Sequence, residues 1–468
     1  MIEALAPAPL IAAAPAAAPI DWRGAPLGVA ERPAYAQPAG DPREPRPAGA
    51  RPWEARWIHR GGFDEGWSEW QAWQAAFGGD SLGSDPDWCR GIETVYPGSL
   101  RWVRLRSGPD ALLVPWLLRR REMDCRLGEW AWLRFHPRLL QPAGEMLATP
   151  EDPDLYAALF RALQEEEGEV DTPHLTGVAP YGRSAPWLRS AAAGARSAPG
   201  ASELPRWDVL HLTVPTASPL WAWLQAGHAQ ALGLRVYQPH PPSPHFLLDF
   251  PDSFAAYTAK FTPKTRKNRE RELRHLEQQG QLELRCYQAE HEVDDFLAHA
   301  GAVSQASYQH KLLKTGMRET ARLRPRLLVA ARMGWLRSYV LRCGGEPCAY
   351  MLGYQYRGRY HYTTIGYHPR WAALSAGTVM HWLALQHMFA HNPPRRFDFG
   401  ACGPQKRYFS NTQFEEASLY LFRPGAYPFL VRTCHHASLR ASRQAVSFLK
   451  RHRLHAAAQR CIRKLTNC

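Results

Sequence analysis

The sequence predicts an α/β fold in which a mixed β-sheet flanked by helices occurs twice. The order helix, antiparallel strands, helix, strand, loop, strand recurs in two blocks of the chain. The length of 468 residues is enough for two or three domains, and 45% hydrophobic with 21% charged residues is ordinary for a globular protein. We therefore expect two domains, 51–240 and 241–430, between an N-terminal arm, 1–50, and a basic helical C-terminal extension, 431–468.

The predicted arm is rich in alanine and proline. Residues 1–50 contain 16 Ala and 10 Pro, and their acidic and basic residues nearly cancel. Such a segment buries too little apolar area to offset its chain entropy, so we expect it to be disordered. The absence of a basic residue before its apolar stretch disfavours a secretory signal. A second low-complexity run, Ser184–Ser202, is predicted to be a surface loop.

The first domain begins with aromatic residues at helical spacing. This helix ends at a glycine, and its residues are Trp67, Trp70, Trp73, Phe77 and Gly78. A hairpin is predicted from Arg101–Arg106 and Ala111–Leu118, and a later helix begins at Asp152-Pro153, an N-cap followed by a first-turn proline. Strands are expected at His174–Val178 and Val209–Val214.

The second domain repeats this order with clearer signals. Its predicted strands are His245–Phe250, Leu282–Tyr287, Trp335–Arg342, Cys348–Tyr354, Tyr360–Tyr367, Phe397–Gly400 and Ala417–Phe422. Its predicted helices are Ser253–Gln279 with a break at Thr262-Pro263, Val293–Tyr308, one ending near Met333, and Ser375–His391.

The end of the chain is strongly basic. Ten Lys and Arg residues and no acidic residue follow Glu416, so this segment carries +10 of the net charge of +14. Two interpretations stay open: a helical extension docked by its apolar side, or a contact with an anionic membrane surface or RNA phosphate. The uncharged apolar run Ala111–Leu118 is too short to span a bilayer.

Cysteine usage indicates a reducing compartment. The nine cysteines are odd in number and form no CxxC pair, which argues against a disulfide framework or a zinc ribbon. The sequence therefore predicts no metal site. We expect a cytoplasmic protein. The basic tail would also allow a peripheral position at the inner membrane.

Three local clusters carry candidate chemistry. Cations including Lys264 and Arg266 crowd a helix start, where the helix dipole disfavours them, which suggests an anionic ligand as an alternative to a solvated face. Ser375-Ala376-Gly377-Thr378 opens an apolar helix and could bind phosphate through its first-turn amides or be a plain N-cap. In the third cluster a strand with an aspartate between aromatics precedes a polar loop; its candidate residues are Asp398, Lys406 and Tyr408.

These clusters resemble the CelD-type acetyltransferases, a cellulose-biosynthesis-associated branch of the GNAT superfamily with two GNAT-like domains. The similarity rests on Arg266–Gly280, Gly345–Tyr350, the Tyr360–Tyr367 strand, Ser375-Ala376-Gly377 and Phe397–Gly400, and it spans about Trp53–Phe422. Fem-type aminoacyltransferases share the double-GNAT arrangement. Ala376 stands where the family prefers proline, Lys406 precedes Tyr408 where the family has Tyr-Lys, and the usual GNAT pyrophosphate-loop motif is absent.

The resemblance implies two tandem GNAT-like domains and acyl transfer from acetyl-CoA or another acyl-CoA to an amine or hydroxyl, with a small molecule or glycan as acceptor. It implies that strands Cys348–Tyr354 and Tyr360–Tyr367 splay apart to take the pantetheine arm, and that Ser375, Gly377 and Thr378 hold the pyrophosphate. Lys264, Arg266 and Lys406 are then candidate substrate-binding residues.

Candidate catalytic residues follow from the proton transfers that acyl transfer requires. His361 and Asp398 are candidate bases and Tyr408 a candidate acid. We expect a raised pKa for Asp398 if it is a partly desolvated base, and a lowered pKa if it caps the following loop. Two other functions stay open: a Fem-like aminoacyltransferase that uses aminoacyl-tRNA, and a non-catalytic GNAT-like module of a glycan synthase system.

Overall fold

The computed structural model describes residues 52–58, 79–96, 99–108, 110–127, 130–144, 152–164, 207–306, 317, 320–401 and 403–451. Several predictions lie outside these residues. They concern the N-terminal arm, the helix of Trp67–Phe77, the strand His174–Val178, the loop Ser184–Ser202 and the end of the basic tail, 452–468.

The described elements alternate between strands and helices. The strands are β1 (Glu54–Ile58), β2 (Leu100–Ser107), β3 (Asp110–Arg120), β4 (Met123–Leu127), β5 (Trp130–Phe135), β6 (Arg138–Pro142), β7 (Val209–Pro215), β8 (Arg235–Tyr237), β9 (Ser243–Asp249), β10 (Leu282–Tyr287), β11 (Ser338–Cys343), β12 (Glu346–Tyr356), β13 (Arg359–Tyr367), β14 (Arg396–Ala401) and β15 (Thr412–Phe422). The helices are α1 (Pro86–Val95), α2 (Pro153–Gln164), α3 (Pro219–Gln225), α4 (His228–Ala231), α5 (Phe254–Ala259), α6 (Pro263–Glu277), α7 (Val293–Ala306), α8 (Thr320–Arg332), α9 (Ala376–Ala390), α10 (Pro404–Phe409) and α11 (Ala426–Arg451).

The chain divides into two compact units. Among the described residues, the central unit comprises those of Pro244–Phe414, and the outer unit joins the residues up to Ser243 to those from Glu415 onward. The domain limits expected from the sequence stay predictions. The predicted α/β class is confirmed, because each unit contains a mixed sheet that packs against helices.

The outer unit has a sheet in the order β1-β2-β3-β6-β7-β15-β8, in which β6 and β7 are parallel and the other neighbours antiparallel. Helix α2 contacts β1 and β2, and helix α11 contacts the separate hairpin β4-β5. Asp85 accepts hydrogen bonds from the amides of Asp87 and Trp88 at the start of α1. An acidic N-cap followed by proline explains why a helix begins there.

The central unit has a sheet in the order β9-β14-β13-β12-β11-β10. The β13–β14 pair is parallel and every other neighbouring pair is antiparallel. One sheet face packs against α5, α6 and α9 around a large apolar core, which includes Leu284, Tyr339 and Leu341. The alternate residues of β10 face α7, where Tyr287 donates to Asp295 at 3.0 Å. Helices therefore cover both faces of this sheet.

Helix α9 is fixed at its C-terminal end by a buried arginine. Arg337 donates to the backbone oxygens of His391 at 2.5 Å and Asn392 at 2.6 Å, and to the Tyr339 hydroxyl at 2.8 Å. A cation at this end complements the negative pole of the helix dipole. The C-terminal end of α9 is therefore held by the residue that precedes β11.

No helix within the described ranges combines the length and hydropathy that crossing a bilayer requires.

Candidate functional site

Strands β13 and β14 separate after a short parallel pairing. The Cα partners are Arg359 with Arg396, Tyr360 with Phe397, and His361 with Asp398, and no further pair follows. The sequence analysis predicts the gap between Cys348–Tyr354 and Tyr360–Tyr367, and this prediction is wrong. Those segments lie in β12 and β13, which pair from end to end.

Local irregularities turn the two strands apart. Leu352 pairs with Thr364 and Gly353 pairs with Tyr362, so Thr363 is an extra residue in β13. An extra residue bends and twists its strand. In β14 the pairing with β9 shifts between Asp398 and Gly400, and Gly400 has a φ of 72°, which only glycine adopts easily. The opening therefore begins just beyond His361 and Asp398.

The first turn of α9 has unsatisfied backbone donors. Ser375 has a left-handed φ of 57°, and its side chain makes no capping hydrogen bond. The amides of Thr378 and Val379 both donate to the Ser375 oxygen, at 2.8 and 3.0 Å. Within the described part of the chain, the Ala376 and Gly377 amides donate to no acceptor outside the helices. A helix start of this kind can bind an anion.

The structure gives Gly377 a packing reason. A Cβ at this position would lie 3.0 Å from Cδ1 of Tyr367. The glycine therefore makes room for the Tyr367 ring. The role of Ser375, Gly377 and Thr378 in phosphate binding stays a prediction.

Asp398 is a buried, fully partnered carboxylate. It accepts hydrogen bonds from Nε2 of His245 at 2.5 Å and from the amide of Gly400 at 2.7 Å, and it forms an ion pair with Arg359. Burial alone would raise the pKa of Asp398, but the His245 hydrogen bond and the Arg359 charge outweigh burial and hold the pKa well below its usual range.

The raised pKa expected for Asp398 as a base is therefore wrong, and the lowered pKa of a loop-capping aspartate describes it better. His245 was missed by the sequence analysis. It lies on β9, opposite Ala401 in the strand register, and its ring stacks on Phe414 at 4.6 Å between centroids. No local pattern distinguishes it, because the contact joins two strands far apart in sequence.

His361 lies at the point where the strands separate. It is half-buried and is paired in register with Asp398. Because side chains alternate along a strand, it faces the sheet side opposite to Tyr362. Its role as a base stays a prediction.

Tyr408 faces α6. Its hydroxyl donates to Oγ1 of Thr265 at 3.3 Å, its ring stacks on Phe261 at 5.6 Å, and the Arg269 guanidinium lies 5.7 Å from the ring centre. The side chain is 44% exposed. These contacts place Tyr408 on the α6 side of α10, which weakens its candidacy as the acid.

Lys406 lies at the open end of the gap. Its Nζ donates to the Ala401 oxygen at 2.8 Å and lies 5.8 Å from the centre of the Tyr362 ring. A Cβ on Gly400 would be 3.7 Å from the same Nζ. The lysine is thus folded back over the end of β14, where its charge faces the opening.

Lys264 and Arg266 lie in the first turns of α6. Thr262 caps this helix and Pro263 begins it, as predicted. Among the described residues neither Lys264 nor Arg266 forms an ion pair, whereas Arg269 pairs with Glu272 at 2.7 Å. Helix α6 contacts the 3₁₀ turn Pro369–Leu374 that leads into α9. Two cations without counterions therefore lie on the helix next to the uncapped helix start.

Two further polar side chains lie at the gap. The Tyr362 hydroxyl makes no hydrogen bond to any described residue, and burial raises the pKa of Tyr362. His381 of α9 is 7% exposed, and its ring lies 5.5 Å from that of Tyr362. Its Nδ1 donates to the Gly377 oxygen at 3.3 Å, which leaves Nε2 as an acceptor. Within the described ranges Nε2 is buried and has no partner.

The environment of His381 keeps its ring neutral. Burial lowers the pKa of His381 to about 4, and the nearby Lys406 charge adds to that effect. The sequence analysis missed Tyr362 and His381 because each lies in a segment whose apolar pattern predicts a core position. Only the burial of an unpartnered nitrogen distinguishes His381 from a core residue.

The described residues contain no cluster of three or more side chains that could hold a metal ion.

Part of the chain matches a known domain type. Residues 263–410 match the model of the acetyltransferase (GNAT) domain. Every candidate site residue predicted from the sequence lies within this range, as do Tyr362 and His381. No curated protein matches the chain.

Solved structures with a similar arrangement are distant in sequence. A tandem GNAT protein from the clavulanic acid biosynthesis pathway is 12% identical, with 80% of this chain and 99% of that chain covered and a TM-score of 0.42. FemX is 9% identical, with 79% and 97% covered and a TM-score of 0.45. The C-terminal domain of a putative lysylphosphatidylglycerol synthetase from Agrobacterium fabrum is 12% identical, with 78% and 92% covered and a TM-score of 0.39.

Proposed function

We propose that the central unit transfers an acyl group from an acyl-CoA to an amine or hydroxyl acceptor. One observation carries the proposal: the parallel strands β13 and β14 separate after three residue pairs, next to an uncapped helix start, inside a segment that matches the GNAT domain. An extended arm that ends in a thioester fits such a gap, and the phosphates at its other end fit the helix start.

The donor is bound along α9 and β13. The Ala376 and Gly377 amides bind the diphosphate, and Lys264 and Arg266 on the adjacent α6 supply positive charge. The unpartnered Nε2 of His381 accepts a hydrogen bond from an amide N–H of the pantetheine arm. A buried acceptor without a partner is costly, so the bound substrate satisfies a group that the free protein leaves unsatisfied.

The chemistry needs one proton removed and one proton supplied. The acceptor nitrogen or oxygen attacks the thioester carbonyl, the bond from that carbonyl carbon to sulfur breaks, and CoA leaves as a thiol. His361, at the apex of the gap, takes the acceptor proton. Tyr362 replaces Tyr408 as the acid that protonates the sulfur, and the Lys406 charge stabilises the negative charge that develops there.

Asp398 acts as a positioning residue in this scheme. It holds His245, Arg359 and the Gly400 amide at the point where β14 turns away. Its charge fixes the shape of the gap without exchanging a proton.

The finer assignment follows the resemblance to CelD-type acetyltransferases. We propose acetyl-CoA as the donor and a sugar or polysaccharide precursor as the acceptor.

Thr378→Glu is the variant that tests the donor site. Glutamate in the first turn of a helix is favourable, so α9 should remain folded. Its negative charge should repel the diphosphate and weaken acetyl-CoA binding by about tenfold or more, as measured by isothermal titration calorimetry. Thr378→Gln has nearly the same shape without the charge and should bind acetyl-CoA almost normally. Equal affinity in the Glu and Gln variants would refute the assignment.

A further inference from the structure

Helix α11 has one docked face. Val431 is completely buried in a core cluster with β4, β5 and β7 residues, and Oγ of Ser438 donates to the Arg126 oxygen at 2.7 Å. The Tyr237 hydroxyl and Nδ1 of His435 are 2.9 Å apart. These contacts belong to the outer unit and show how the helix is held.

A flank of α11, about 100° around the helix from Val431, carries an exposed apolar stripe. Leu430, Ala437, Ala441 and Phe448 are all exposed. Their spacings of 7, 4 and 7 residues place them in one line along the helix. Leu430 is 48% exposed and Phe448 is 59% exposed, and the neighbouring Phe429 is 60% exposed. We call the exposed side that contains these residues the outer face of α11.

The charge on this helix has a single sign. Its charged residues are Arg432, Arg440, Arg443, Lys450 and Arg451, and no Asp or Glu occurs between 417 and 468. Arg440 is exposed and forms no ion pair within the described part of the chain. Its position, three residues after Ala437 and one before Ala441, places it beside the apolar stripe.

We propose that the outer face of α11 binds the surface of a membrane that contains anionic phospholipid. Phe429, Leu430 and Phe448 enter the headgroup boundary, and Arg440 contacts lipid phosphates. The helix is 26 residues long, so it covers about 39 Å when it lies parallel to the surface. This proposal does not depend on the acyl-transfer activity.

Charge and side-chain chemistry favour lipid over other partners. A second copy of the chain would bring two basic faces together without an acidic residue between them. RNA would satisfy the arginines and could stack on phenylalanine, but it offers no favourable environment for Leu430. A lipid surface satisfies both the cations and the aliphatic side chain.

Vesicle co-sedimentation of the full chain tests the proposal. We expect binding to vesicles of mixed phosphatidylglycerol and phosphatidylcholine, little binding to phosphatidylcholine alone, and weaker binding as salt rises from about 0.1 M to about 0.5 M. Arg440→Glu should lower the partition coefficient about tenfold. Arg271→Glu, the same change at an exposed arginine of α6, is the control and should have little effect.

A second pair of variants tests the apolar part. Leu430→Ser with Phe448→Ser should weaken vesicle binding about tenfold or more, whereas Met333→Ser, at an exposed methionine of the central unit, should not. All these side chains are exposed, so the variants should melt like the wild type. Three results would each overturn the proposal. The first is an equal loss of vesicle binding in Arg440→Glu and Arg271→Glu. The others are binding to neutral vesicles that equals binding to anionic vesicles, and binding to poly(U) RNA without vesicle binding.

Discussion

Asp398→Asn is expected to destabilise the protein strongly. The carboxylate is 2% exposed, and the change leaves the Arg359 charge without its buried counterion and weakens the His245 contact. Removing one partner of a buried ion pair costs about 3–5 kcal/mol of unfolding free energy. Chemical denaturation monitored by circular dichroism would measure the loss.

Asp249→Asn is the matched control. Asp249 also forms an ion pair, with Arg396 at 2.6 Å, but its side chain is 43% exposed. Solvent screens such a pair, so its loss should cost about 1 kcal/mol or less. A normal stability for Asp398→Asn, together with a hundredfold fall in kcat, would restore the base role and contradict the structural account.

The lowered pKa of Asp398 also predicts how the stability of the protein depends on pH. The pKa of Asp398 is lower in the folded chain than its ordinary value of 3.8. Its contribution to stability is therefore fully present above about pH 4 and is lost as pH falls further, towards the folded-state pKa. The Asn variant should lose this part of the acid dependence, so the stability of the two proteins should converge at low pH.

Tyr362→Phe is expected to lower kcat about a hundredfold while acetyl-CoA affinity stays within a fewfold of wild type. The hydroxyl makes no hydrogen bond to a described residue, so its removal costs no folding interaction. The assay is release of the CoA thiol from acetyl-CoA with a panel of amine and amino-sugar acceptors.

Tyr408→Phe makes the same chemical change on the α6 side and is the control. Its hydroxyl contacts Thr265 at 3.3 Å, so we expect nearly normal turnover and a small change in stability. A large fall in kcat for Tyr408→Phe with normal turnover for Tyr362→Phe would return the acid role to Tyr408.

Local sequence signals located most elements of the central unit. The alternation in Leu282–Tyr287 and the Thr262-Pro263 helix start correspond to β10 and to the start of α6. Both signals act between close neighbours in sequence: side chains alternate along a strand, and a capping hydroxyl binds a nearby amide. In the outer unit, the strands β4, β5 and β6 were missed because each has only five or six residues and contains charged or polar ones.

The gap was placed in the wrong pair of strands because pairing is not a local property. The sequence shows that Cys348–Tyr354 and Tyr360–Tyr367 are consecutive strands, which favours treating them as the functional pair. The strand that leaves β13 is β14, which follows a whole helix later. Only the strand register of β13 and β14 shows that their pairing ends after three residue pairs and that the strands then separate.

The chemical character of the site depends on distant partners. Asp398 has an ordinary local sequence, and its state is set by His245 on β9 and Arg359 on β13. His381 lies in an apolar helix that predicts a core position, and the core position is correct. Its chemical interest arises from the acceptor nitrogen that the fold buries without a partner.

Amide hydrogen exchange of the full chain with and without acetyl-CoA tests the central claim most directly. We predict slower exchange on binding in two segments: the first turn of α9, 376–379, and the β13 residues beyond the last pair, 362–367. Deacylated tRNA should protect neither. Protection by tRNA without protection by acetyl-CoA, or protection by acetyl-CoA only outside Pro263–Ser410, would contradict the account.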